Sequence, residues 1–99
     1  MLKEGEKVKQ EIKNKILNIL KENKLLVDGV ENKIKVEPPK EEKFGDLSTN
    51  AAFILSKSLN KKSLEVANQI KELFEKDPYF EKVEVANGGF INLFISNIF

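Results

Sequence analysis

An α+β fold, an antiparallel sheet of three or four strands packed on one face by three helices, is predicted for these 99 residues by two changes of period. Apolar residues recur at helical spacing between Lys7 and about Asn23, and again after Asp46 and after Ser63. Beyond Tyr79 the period falls to two, and a glycine pair sits midway through that stretch. There is no internal repeat and no low-complexity segment, so a single domain over residues 1–99 is expected.

Val8, Ile12, Ile16, Ile19 and Leu20 form the apolar stripe of the first helix, with Lys, Glu, Gln and Asn between them. Leu25, Leu26 and Val27 lead into a turn at Asp28-Gly29. Ile34 and Val36 alternate with lysines and Glu37 in a short strand, which Pro38 and Pro39 end because neither can donate to a ladder. The stretch KEEKFGDLSTNAAFILSKSL starts as a charged loop and is expected to become helical after Asp46. That carboxylate would cap the next turn at a value of about 1 kcal/mol. Ala51, Ala52, Leu55 and Leu59 are the narrow apolar face of this second helix. Ser63 is the expected cap of a third helix running to about Lys76, with Leu64, Ala67, Ile70, Leu73 and Phe74 as its core stripe. Val83 and Val85, then Asn87-Gly88-Gly89, then FINLFI read as a β-hairpin.

Composition narrows the chemistry. Cysteine and histidine are absent, which removes disulfides, thiolate metal sites, the usual neutral-pH general base and the usual zinc nitrogen ligand; no catalytic and no metal residues are assigned. All 17 basic residues are lysine, so any contact to nucleic acid must use lysine, backbone amides, small polar groups or aromatics. Net charge is +1, with lysines in excess over residues 1–24 and acids in excess over residues 64–99. No apolar run reaches membrane-spanning length and the first ten residues lack the apolar core of a secretory signal, so a soluble, cytoplasmic chain is expected. The carboxylate pairs, such as Glu41-Glu42, lie in charged stretches with nothing to desolvate them, and read as solvated faces.

Two stretches stand out. Phe44-Gly45-Asp46, with Asn50 about one turn beyond, reads as a loop shaped by a glycine, with ligand contact as the alternative. In GGFINLFIS a one-residue parity separates Ile91, Leu93 and Ile95 from Phe90, Asn92, Phe94 and Ser96. If the isoleucines and leucine face the helices, the other set lies on an open sheet face, where aromatics beside an amide make a stacking platform for unpaired bases. The alternative buries Phe90 and Phe94 in the core or against another domain.

The succession of a strand ending in proline, KFGDLSTNAA, a lysine-rich helix break and KVEVANGGFINLFIS resembles the N-terminal additional domain of arginyl-tRNA synthetases. The likeness covers about residues 34–99, and the first helix is compatible with it. It implies an α+β module that reaches the outer corner of the tRNA and touches the D-loop, ahead of a class I catalytic domain. On that resemblance, Phe90 and Asn92 match an aromatic and an amide that hold an unpaired D-loop base, and Ser96 and Phe99 match polar and aromatic positions used in other members. Gly45, Asp46, Asn50, Gly88 and Gly89 belong to the motifs that carry it. The implied partners are tRNA(Arg) and the catalytic domain of the same parent chain. No cofactor is implied for this domain, and ATP belongs to the parent enzyme. The class I signatures HIGH and KMSK are missing, and the chain stops at Phe99 where a full synthetase would continue, so these residues alone are not expected to form arginyl-tRNA. The rival to base recognition is a docking module whose outward aromatics pack on the catalytic domain.

Overall fold

A computed structural model describes residues 4–26, 28–86 and 88–96; Val27, Asn87, Phe99 and the side chain of Val8 lie outside the described part. The first helix, α1, spans Glu4–Glu22 and buries Ile12, Ile16 and Leu20, one residue per turn. It ends without a glycine. Lys24 takes the left-handed conformation at φ 60°, and the Leu25 N–H reaches back to the Leu20 carbonyl at 2.9 Å, closing the last turn over a buried Leu25.

Strand β1 is only Val36–Glu37. It is shorter than the predicted strand because Ile34, though buried, closes the 3-10 turn Glu31–Lys33 before it. A second 3-10 turn, Glu42–Phe44, leads to β2, Leu47–Thr49, and then directly to helix α2, Ala51–Leu59. Helix α3 is Ser63–Glu75, and the hairpin is β3, Phe80–Ala86, with β4, Phe90–Ile95. The sheet order is β1-β2-β4-β3, every neighbour antiparallel, which confirms the predicted class and sets the strand count at four. The last strand in sequence therefore occupies the interior of the sheet.

Register assigns the two faces. Val36, Thr49, Ile91 and Val85 form one row across the sheet, and Leu47, Leu93 and Val83 the next. Except for the half-buried Val85, these are buried, and they join Ile12, Ile16, Ala51, Leu55, Ile70 and Phe74 of the helices in one core. The opposite face carries the row Glu37, Ser48, Asn92 and Glu84. Parity thus falls with Ile91 and Leu93 inward.

Several local expectations are corrected. Asp46 does not cap a helix, because β2 intervenes; its carboxylate accepts the Ile95 N–H at 2.7 Å, and its own N–H donates to the Leu93 carbonyl at 2.8 Å. Leu47-Ser48-Thr49 looked helical because its alternation is too short to register locally, whereas pairing to Ile91–Leu93, distant in sequence, holds it extended. The residue before α2 is Asn50, which makes no side-chain cap; Thr49 Oγ1 accepts the Ala51 N–H at 3.2 Å instead. Ser63 is the first residue of α3 rather than its cap, and its hydroxyl donates to the Gly88 carbonyl at 2.6 Å. Leu64 leaves the core stripe and Val66 enters it, while Leu59 and Leu73 are half-buried.

Gly45 is buried at φ 114°, and a Cβ there would stand 2.8 Å from the Leu93 carbonyl oxygen. Only glycine lets the loop pass so close to β4. Lys15 of α1 bonds Asp77 at 3.0 Å and lies 5.4 Å from the Tyr79 ring centre, which moors α1 to the turn before β3. Burial opposes charge on Asp77, but the Tyr79 N–H at 2.9 Å and the Lys15 ammonium outweigh it and hold the carboxyl below its ordinary value.

Gly45→Ala is expected to destabilise the fold by at least about 1–3 kcal/mol, a fall in Tm of several degrees, through the strained φ and the carbonyl clash together. An unchanged thermal melt would contradict this. For Asp77 the folded-state value is depressed, so its contribution is complete above the usual 3.8 and fades as pH falls below it. Melts of Asp77→Asn and the parent chain should differ at neutral pH and converge in acid.

Candidate functional site

The outer sheet face is not flat. A groove of about 560 Å³ opens over β2 and β4, with Ser48, Asn92 and Ala86 on its floor and Pro38, Pro39 and Lys40 at the β1 end. Phe44 and Phe90 line it as well, 42% and 45% exposed, the largest apolar surfaces it offers. Lys35 and Glu37 complete its rim.

Each element of the groove is placed by a feature of the fold. The hairpin turn carries positive φ at Gly88 and Gly89, and the Gly89 N–H returns to the Ala86 carbonyl at 3.0 Å. A Cβ on Gly89 would stand 3.2 Å from Ser63 Cβ, so glycine lets the turn rest on the start of α3. Phe90 follows at once, and its ring meets Phe53 of α2 edge-on at 4.8 Å between centroids. That contact fixes the ring yet leaves nearly half the residue exposed. Phe44 is delivered by the 3-10 turn just before Gly45, with Lys43 Nζ 5.3 Å from its ring centre.

Asn92 is the unusual group. It sits on the outer face at only 5% exposure, flanked in register by Ser48 and Glu84. Its amide has no hydrogen-bond partner among the described residues, and no fully buried polar side-chain atom is left unsatisfied there, so the amide meets solvent through the groove. Glu84 is engaged elsewhere, with Lys82 at 2.7 Å, and Lys82 lies 5.3 Å from the Phe94 ring centre. An amide can donate and accept at once, and here both capacities are unspent on the protein.

The residues singled out in the sequence divide accordingly. Phe90 and Asn92 come together in the groove. Phe94 shares their parity, half-buried under Lys82. Ser96, four residues along from Asn92, is half-buried with its N–H on the Tyr79 carbonyl at 2.9 Å, and it does not line the groove. Phe99 lies outside the described residues. Asn50 does line the groove, but its amide is consumed: Oδ1 accepts the Lys35 N–H at 2.8 Å and Nδ2 donates to the Lys33 carbonyl at 3.2 Å. Gly45 and Asp46 act beneath the site by holding β4. Ser48 and Lys35 were not assigned from the sequence, and Phe44 entered only as part of the loop Phe44-Gly45-Asp46, with ligand contact as the alternative reading. Phe44 was signalled by an aromatic directly before a loop glycine, whereas Ser48 became visible only through the pairing of β2 with β4.

A four-stranded antiparallel sheet covered by helices on one face, and carrying on the other a groove lined by two rings and an amide unpaired among the described residues, defines a small α+β module. Residues 6–95 match the arginyl-tRNA synthetase N-terminal domain, and the chain belongs to that family. It is 41% identical over 86 residues to the arginine–tRNA ligase of Thermotoga petrophila, an alignment covering 87% of this chain and 15% of that protein. It is 42% identical over 92 residues to the arginine–tRNA ligase of Aquifex aeolicus, covering 93% of this chain and 15% of that protein. The chain thus spans about 15% of the length of these relatives. Among the described residues no helix is long and apolar enough to cross a membrane.

Because the Asn92 amide has no hydrogen-bond partner among the described residues, Asn92→Leu should melt at or above the parent temperature, gaining buried apolar surface without loss of such a partner. A fall of several degrees would show that the amide serves the fold and not a ligand.

Proposed function

We propose that this chain is the tRNA-recognition part of an arginine–tRNA ligase, and that its outer sheet face holds an unpaired nucleotide of the D-loop at the outer corner of tRNA(Arg). The observation that carries the reading is Asn92: a nearly buried amide without a described partner, on the floor of a groove flanked by Phe90 and Phe44. An unpaired base needs a surface to stack on and a donor-acceptor pair to read its edge, and these residues offer both. Family membership supports the same partner, since the relatives are named as ligases acting with tRNA. Class I chemistry, ATP and arginine activation would reside in the catalytic domain of the longer parent, which this domain would help supply with correctly placed tRNA.

Docking on the catalytic domain through the aromatics remains a second role for the same face. The exposure of Phe90 and the free amide between the rings favour base recognition, because a docking surface has no need of an unpaired polar group at its centre.

Titration with tRNA(Arg) transcripts carrying each base change in the D-loop should reveal one position whose substitution weakens binding. Phe90→Ala should weaken binding of the parent transcript by roughly 1–3 kcal/mol, the usual value of one stacked base. Asn92→Ala should abolish discrimination at the sensitive position. Equal affinity for every D-loop variant would refute base readout.

A further inference from the structure

A second recess, about 390 Å³, lies on the opposite side of β1 from the hairpin, where α1 runs beside the edge of the sheet. Lys9, Lys13 and Lys35 line it together with Gln10, Asn32 and Glu37. Lys35 and Glu37 also line the outer groove, so the two recesses meet across β1. We propose that the lysine-lined recess is a phosphate site, taking the backbone of the same RNA strand whose base enters the outer groove. The proposal rests on that groove being a nucleotide site and extends it along the strand.

The charge pattern supports this. The chain has 17 lysines against 16 acidic residues, yet this recess holds three lysines and one carboxylate. None of the three lysines forms an ion pair among the described residues, whereas Lys15, Lys43, Lys71 and Lys82 each have a carboxylate. Lys9 and Lys13 are one turn apart on α1 and half-buried, and both line this recess. Lys15, equally half-buried on the same helix, satisfies its charge inside the fold with Asp77.

Lys35 is presented from a fixed backbone. Its N–H is held by Asn50 Oδ1, and the carbonyl of Lys33 by Asn50 Nδ2, so the amide in the middle of the STNAA stretch positions the lysine shared by both recesses. Lysine suits the task, since a phosphate chain asks for point charges and not for base-specific geometry. Glu37 opposes the anion and tempers the affinity.

The test measures binding to a tRNA(Arg) transcript and to poly(U) across a salt series. The paired variant Lys9→Gln/Lys13→Gln should weaken both RNAs and reduce the magnitude of the slope of log K against log salt by roughly 1.4, two contacts at about 0.7 each on single strands. Glu37→Gln should tighten both. Asn92→Ala should leave the salt slope intact while erasing D-loop discrimination. Loss of discrimination in the parent chain with the lysine effect retained would remove the base reading and keep the phosphate site. An unchanged slope in the lysine variant, or no binding of either RNA by the parent chain at low salt, would overturn the proposal.

Discussion

The contact between Gly45-Asp46 and the end of β4 is the constraint on which the rest of the molecule depends. It joins distant parts of the chain, through the Asp46 carboxylate on the Ile95 N–H, 49 positions away, and the Asp46 N–H on the Leu93 carbonyl. Its distance requirement admits no side chain at residue 45. Once made, it sets Leu47 opposite Leu93 and Ser48 opposite Asn92, because register propagates from one pair to the next. A slip of one residue would send Ile91 and Leu93 to solvent and Asn92 into the core. The same turn that supplies Gly45 supplies Phe44, so correct pairing of the sheet and delivery of a groove wall are one event.

The core and the groove stand back to back on one strand. Ile91 and Leu93 are fully buried among the helices, and between them Asn92 points the other way with its amide unspent. An interior strand is the stiffest place in a small sheet, which suits the ligand-reading role proposed for Asn92. The hairpin turn adds a second anchor. Gly89 lies against Ser63, Ser63 bonds Gly88, and Phe53 meets Phe90, so the ring is oriented from α2 and α3 while its neighbour in the groove is oriented from β2. The groove is thereby tied to packing on three sides.

Long periodic elements were legible in the sequence and short ones were not. The stripe Ile12, Ile16, Leu20, the face Ala67, Ile70, Phe74 and the alternation of FINLFI each repeat often enough to declare their period, and all are found as read. Leu47–Thr49 offers three residues, surrounded by Asp, Ser and Asn that resemble a helix start, and its extended form comes from partners remote in sequence. Asp46 and Ser63 were each read as the cap of a helix, and Asn50 as a residue one turn beyond the loop glycine. Each spends its side chain on a tertiary contact, to Ile95, to Lys33 and Lys35, and to Gly88. Capping and tertiary bonding draw on the same short polar side chains, so composition alone does not separate them. That Phe90 and Asn92 share one face was legible through parity; the depth of Asn92, and the walls around it, required the fold.

The central claim is that the outer face of β4 meets a nucleotide through Asn92. The most direct measurement follows the side-chain NH₂ resonances of Asn92 by NMR as a tRNA(Arg) transcript is added, alongside a transcript made abasic at the D-loop position that proves sensitive. A saturable shift with the first and none with the second is the predicted result. Unmoved Asn92 resonances at saturation, with shifts confined to other parts of the chain, would contradict it.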